Sequence, residues 1–153
     1  MRILLVAAGR SRSGIERELY AHYAARLVWP IELKEIEVRT AALPAEQRKR
    51  ESALLLAAVP KVAKVVALDE HGKLLTSEGF AKQIGGWRDE GVAEIAFLIG
   101  GAGGLDDAVR KSADLVLSLG RVTWPHLLMR GLLAEQLYRA QQILAGHPYH
   151  RGS

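Results

Sequence analysis

Glu94-Ile95-Ala96-Phe97-Leu98-Ile99-Gly100-Gly101-Ala102-Gly103-Gly104-Leu105 sets five consecutive apolar residues directly before four glycines in five positions. A short unbroken apolar run that ends at glycine reads as a strand buried on both faces. Such strands occur where helices cover both sides of a parallel sheet. The glycines permit positive φ and let a ligand come close to the backbone, so the loop Gly100–Gly104 is a candidate ligand-hugging segment. It differs from a dinucleotide fingerprint, because Asp106 stands where the third glycine belongs and the loop does not follow the first strand.

Outward from this segment, apolar runs alternate with amphipathic ones. Arg2–Ala8, Ile31–Val38, Ala63–Leu68 and Leu115–Leu119 are predicted as further strands, the second partly alternating as at a sheet edge. Helices are predicted over Ile15–Leu27, with Ile15, Leu19, Tyr23 and Leu27 on one face; Pro44–Ala58; Thr76 or Ser77 to Arg88; Asp106–Ser112; and Pro125–Ala145, stopped by Gly146. Five strands separated by helices predict an α/β fold with a mostly parallel sheet flanked by helices, in a single domain spanning 1–153. In such sheets ligands bind beyond the carboxyl ends of strands.

Composition narrows the chemistry. There is no cysteine, which excludes disulfides, thiolate metal sites and a cysteine nucleophile. The apolar run at Met1–Gly9 is too short for a signal peptide and no stretch is long enough for a membrane span, so a cytoplasmic protein is expected, with no membrane and no metal partner. Gly9 and Gly14 have P-loop spacing, but Ile15 replaces the essential lysine, and no Gly-x-Ser-x-Gly elbow occurs. The net charge of +4 is uneven: residues 115–153 hold Arg121, Arg130, Arg139 and Arg151 against the single Glu135, with three of the five histidines, His126, His147 and His150. Arginine grips phosphate with a planar fork, so the stretch suggests an anionic partner such as RNA as well as a solvated basic face.

Two further loops are candidates. Leu68-Asp69-Glu70-His71-Gly72-Lys73 reads first as a polar turn closed by glycine, and second as a place where Asp69 meets a ligand. Leu119-Gly120-Arg121-Val122-Thr123-Trp124-Pro125-His126 is a turn whose free peptide groups suit an adenine edge, or a plain connection. In the last helix Met129, Leu132, Leu133, Gln136, Ala140, Ile143 and Leu144 form a largely apolar stripe for a core or a subunit interface. Its Gly131 costs about 1 kcal/mol of helix propensity and allows close packing.

Several blocks together carry a resemblance: Phe97-Leu98-Ile99-Gly100-Gly101, Leu117-Ser118-Leu119, Thr123-x-Pro125-His126, Leu128-x-Arg130, Glu135-Gln136-Leu137-Tyr138-Arg139-Ala140 and His147-Pro148-Tyr149-His150-Arg151, with Leu68-Asp69 and Gly72-Lys73. The chain is similar to the small SPOUT methyltransferases that modify N3 of pseudouridine in large-subunit (23S) ribosomal RNA, the RlmH family. The resemblance implies an α/β-knot with a C-terminal deep trefoil knot and an S-adenosylmethionine (S-adenosyl-L-methionine) cofactor. It places that cofactor on backbone around Leu68, Gly100, Leu119, Gly120, Arg121, Val122, Thr123 and Trp124. It also implies a homodimer built on the last helix, with one tail near the other protomer's cofactor, acting on the ribosome. On this reading the catalytic candidates are His126 and His150 for proton handling, with Tyr149 and Glu135 behind them. Arg130, Arg139 and Arg151 hold phosphates or the base, and Tyr149 stacks on it. Proton loss to water after positioning stands beside a protein base. Departures from the family pattern are Ala102, Gly103, Gly120 and Gly131. The rival reading is a non-catalytic RNA- or ribosome-binding α/β protein.

Overall fold

Alternate residues of a strand face opposite sides of its sheet, and here that period divides the interior into two cores. The computed structural model describes residues 1–39 and 43–151, with His150 through its backbone alone. Strands β1 (Arg2–Ala8), β2 (Ile31–Ile36), β3 (Lys64–Leu74), β4 (Glu94–Ile99) and β5 (Leu115–Ser118) pair in the order β2-β1-β4-β3-β5, all parallel. Helices α1 (Ile15–Ala24), α2 (Pro44–Ala57), α3 (Ser77–Asp89), α4 (Asp107–Ser112) and α5 (His126–Leu144) cover both faces, and a 3-10 helix spans Pro148–Arg151. Ile3, Leu5, Ile95 and Phe97 pack with Phe80, Ile84 and Trp87 of α3 and with Leu133 and Leu137 of α5. Leu4, Val6, Ala96 and Leu98 pack on the other side with Leu55 of α2 and Val109 of α4. Each of the valine, leucine, isoleucine and phenylalanine side chains contributes about 1.5–3 kcal/mol by leaving water.

The predicted element order is observed, and β2 lies at an edge of the sheet. Thr76 is the cap of α3: its Oγ1 accepts from the Gly79 N–H at 3.0 Å, while Ser77 Oγ donates to Gln136 Oε1 at 2.8 Å. Other expectations are corrected. The strand expected to end at Leu68 runs to Leu74, because the polar segment after it is a bulge: Leu68 and Lys73 both lie opposite Leu117. Helix α1 ends at Ala24 and contains no buried residue; Ile15, expected on its packed face, is 75% exposed. The stripe expected on α5 is packed but wider than predicted: Leu133 and Ala140 are buried, and Met129, Ile143 and Leu144 lie against the core. The buried residues of α5 are Arg130, Gly131, Leu133, Ala134, Leu137 and Ala140, because α1 and α3 both pack on this helix.

Close packing explains three glycines. A Cβ at Gly131 would fall 2.6 Å from Leu19 Cγ, where α1 crosses α5, and one at Gly85 would fall 2.7 Å from Leu144 Cδ2. At Gly72 it would fall 2.7 Å from the Val116 carbonyl oxygen, a backbone atom that cannot rotate away. Gly72→Ala is therefore expected to lower unfolding free energy by about 2–3 kcal/mol in urea titration. Gly86→Ala, in the same chain with open space around its Cβ position, is expected to raise it by about 0.5–1 kcal/mol. A tolerated Gly72→Ala would contradict the bulge register.

Candidate active site

Because β4, β3 and β5 are neighbours in a parallel sheet, their carboxyl ends emerge side by side. The segments that leave them surround a cleft of about 650 Å³. The first wall is the glycine loop. It doubles back so tightly that a Cβ at Gly100 would lie 2.6 Å from the Gly104 oxygen. Gly104, at φ 77°, donates its N–H to the Gly101 oxygen at 3.0 Å. Ser52 of α2 anchors the end of the loop by accepting from the Asp106 N–H at 3.0 Å.

The second wall is the β3 bulge. Asp69 Oδ1 accepts from the His71 N–H at 2.8 Å, and Oδ2 accepts from Arg110 Nε at 2.7 Å. Burial alone would push the Asp69 carboxyl up, but the His71 N–H and the Arg110 guanidinium outweigh it and hold it below its ordinary value. Both oxygens thus serve the internal architecture of the cleft.

The third wall is the segment after β5, and the bulge clasps it. Ser118 Oγ lies 3.0 Å from the Glu70 oxygen and 3.1 Å from the Gly120 N–H. Arg121 Nη1 donates to the Glu70 oxygen at 2.5 Å, and Thr123 Oγ1 donates to Glu70 Oε2 at 3.1 Å. The Arg121 and Thr123 side chains are committed to the clasp, while Val122 and Trp124 are exposed. Among the described residues nothing accepts from the amides of Arg121, Val122, Thr123 and Trp124. Gly120 has φ 125°, a conformation that a serine in its place would rarely adopt.

The residues singled out from the sequence fall into separate groups. Leu68, Gly100, Leu119, Gly120, Val122, Thr123, Trp124 and His126 line this cleft, and Arg121 adjoins it through the clasp. Burial pushes the His126 imidazole below its ordinary value, Arg130 adds to this, and Glu51 opposes it. Leu119, Gly120 and Trp124 also line a second cleft of about 680 Å³, which holds Glu135, Arg139 and Tyr149. There Glu135 accepts from Arg139 Nη2 at 2.6 Å, Gln136 Nε2 at 2.9 Å and the Tyr149 hydroxyl at 3.3 Å. The Arg139 guanidinium stands 5.0 Å from the Tyr149 ring centre. Tyr149 is pushed up to about 12, by burial first and then by Tyr23 and Glu135. Arg151 is exposed, and the side chain of His150 lies outside the described residues.

Arg130 lines neither cleft. It is 1% exposed, donating to Glu35 Oε2 at 2.5 Å and to the oxygens of Ala8 and Gly9 at 3.1 and 2.7 Å. In this chain its guanidinium is committed to the ends of β1 and β2 and is withdrawn from any phosphate. Sequence reasoning missed Ser118, Glu70 and Glu51. Ser118 had a signal, as the one polar residue in the apolar run Leu115–Leu119. Glu51 had a weaker one: it stands one helical turn before the core residue Leu55. Nothing within the loop marked Glu70.

Among the described residues no group of three or more His, Asp or Glu could hold a metal ion, and no helix is long and apolar enough to cross a membrane. Comparison with known proteins places this architecture. Residues 1–150 match the model of a family described as predicted SPOUT methyltransferase. A ribosomal RNA large subunit methyltransferase H of Rhodospirillum centenum is 58% identical over 99% of both chains. A protein of the same name from Paramagnetospirillum magneticum is 53% identical over 99% of both. A solved structure of a Legionella pneumophila putative methyltransferase with bound SAM has the same fold, with a TM-score of 0.50 at 15% identity, over 92% of this chain and 66% of that one. On a family match that runs from residue 1 to residue 150, the chain belongs to the SPOUT methyltransferases.

Proposed function

We propose that this chain transfers a methyl group from S-adenosylmethionine to N3 of a pseudouridine in large-subunit ribosomal RNA, acting as a homodimer. The observation that carries the reading is the cleft itself. Glycine-built and clasped loops converge there with four free amides, in a chain 58% identical to a ribosomal RNA methyltransferase along nearly its whole length. The residues fit the cofactor: the amides of Arg121–Trp124 suit an adenine edge, and the tight glycine turn gives an elongated ligand access to backbone. When bound, S-adenosylmethionine supplies a methyl group already activated on a positively charged sulfur. The protein's part is to align the acceptor nitrogen and to provide for its proton, and alignment alone is worth several kcal/mol.

His126 and His71 are the described imidazoles in the cleft wall, and the lowered pKa of His126 keeps it neutral at neutral pH, able to accept a proton. Tyr149, pushed up to about 12, stays protonated and serves as a donor or a stacking face. Glu135 is occupied by Arg139 and Tyr149. Within one protomer the segment Leu119–Trp124 stands between the cofactor cleft and the tail's cleft. That separation supports the homodimer, in which the tail of one protomer reaches the partner's cofactor. The trefoil threading of the C-terminal segment belongs to the same reading. So does the buried role of Arg130, which leaves phosphate contact to exposed arginines such as Arg151.

Purified protein is expected to transfer labelled methyl from S-adenosylmethionine to ribosomes lacking the modification. Arg151→Ala, or deletion of Tyr149–Ser153, is expected to cut transfer by about a hundredfold or more while calorimetric cofactor binding persists. Absence of both transfer and cofactor binding in the parent would sink the reading, and joint loss in the tail variants would make the tail structural.

The pH dependence follows from the sign of the His126 shift. Its pKa is lowered from 6.5, so the imidazole is neutral above that value and takes up a proton only as pH falls through a lower midpoint. The acid limb of kcat/KM is expected below pH 6.5, matching the His126 midpoint by NMR, and His126→Gln is expected to remove it. A midpoint above 6.5, or an unchanged limb in His126→Gln, would exclude this histidine as the base.

A further inference from the structure

Glu51 is 9% exposed on the inner face of α2. Both carboxylate oxygens lie 3.0 Å from the position a Cβ on Gly101 would occupy, so the charge sits directly behind the glycine wall of the cofactor cleft with no side chain between. Its hydrogen-bond donor is the neutral amide of Gln47, at 3.1 Å. Among the described residues no lysine or arginine forms an ion pair with it. Two other carboxylates at this end of the sheet are paired with a cation, Asp69 with Arg110 and Glu35 with Arg130, and Glu70, which also lines the cleft, is exposed to water and accepts from the Thr123 hydroxyl. A carboxylate this far from water without a cation is costly unless a positive charge is brought to it. The cleft on the other side of Gly101 is where one would arrive.

We propose that Glu51 is the fixed counter-charge of this cleft, favouring a cationic sulfonium ligand over the neutral thioether left after the methyl group has gone. This rests on the cofactor reading above. Transfer of the methyl group moves the S–CH3 bonding pair onto sulfur, so the ligand loses one positive charge while keeping its adenosine and amino-acid parts. A buried negative charge acting through low-dielectric protein feels that loss strongly, whereas the loop amides that bind the adenine do not. Glu51 thus holds the donor before transfer and weakens the hold on the product after it. Gly101 serves the same end, since any side chain there would push the carboxylate away from the wall.

Calorimetry on the full chain with S-adenosylmethionine, S-adenosylhomocysteine and 5′-methylthioadenosine tests this. Glu51→Gln keeps the shape and the Gln47 contact. It is expected to weaken sulfonium binding by roughly tenfold relative to the thioether, as one charge seen across several ångströms of protein implies. Binding of 5′-methylthioadenosine, which has neither sulfonium nor amino acid, is expected to stay within about twofold. Gln47→Lys retains the carboxylate but sets an ammonium beside it, and is expected to reproduce the same change in ratio. Equal weakening of all three ligands would overturn the proposal in favour of a packing role. An unchanged sulfonium-to-thioether ratio in both variants would overturn it outright. A parent that bound none of the ligands would remove the cofactor reading and this proposal together, whereas normal parent binding with an unaltered ratio would remove this proposal alone.

Discussion

A single buried guanidinium fixes how the last helix meets the sheet. Arg130 leaves α5 to reach the carbonyl oxygens at the end of β1 and Glu35 on β2, and it is 1% exposed. Burying this charge costs several kcal/mol that only its partners offset, so the arrangement is held together or lost together. Burial alone would raise the Glu35 carboxyl, but the Ser11 N–H, Arg130 and Arg17 together hold it below its ordinary value. The constraint reaches the cleft directly, because His126 stands one helical turn before Arg130. Its Nε2 is 3.3 Å, and Arg130 Nη2 4.0 Å, from the position of a Cβ on Gly9. The next residue, Gly131, lets α1 lie against α5. One turn of α5 therefore docks a helix, closes two strands and positions a cleft-wall imidazole.

That economy explains what could be read from the sequence and what could not. Ile95–Ile99 followed by glycines was sufficient to infer a buried parallel strand and a tight glycine loop after it, because both inferences are local: five apolar residues need cover on both faces, and four glycines need conformational room. The segment Leu119–Trp124 was legible for the same reason, since Gly120 and Pro125 bracket a turn without regular partners. The bulge was not legible. Asp69–Gly72 reads as a turn after a strand, and only pairing with Leu117, more than forty residues away, shows that the strand resumes. Ile15 failed in the opposite direction, since periodicity marks a face but cannot say whether this chain covers it. Arg130 and Glu51 lay beyond local reading altogether. A charge in a helix reads as solvated until tertiary contacts bury it.

On the proposed function, the protein must satisfy two ligands of opposite sign. Its donor is a cation and its acceptor a polyanion, and one uniform surface potential would repel one of them. This chain separates the two requirements by depth. The excess positive charge lies toward the C-terminal end, with Arg151 exposed where a phosphate backbone can approach. Arg110, Arg130 and Arg139, nearer the interior, are each matched by a carboxylate: Asp69, Glu35 and Glu135. Matched pairs project little field, so the buried charge left to act on the cofactor cleft is the Glu51 carboxylate behind Gly101. Long-range attraction then belongs to the surface, where it is screened by salt and speeds encounter. Discrimination between charged donor and neutral product belongs to the interior, where screening is weak and one charge is felt.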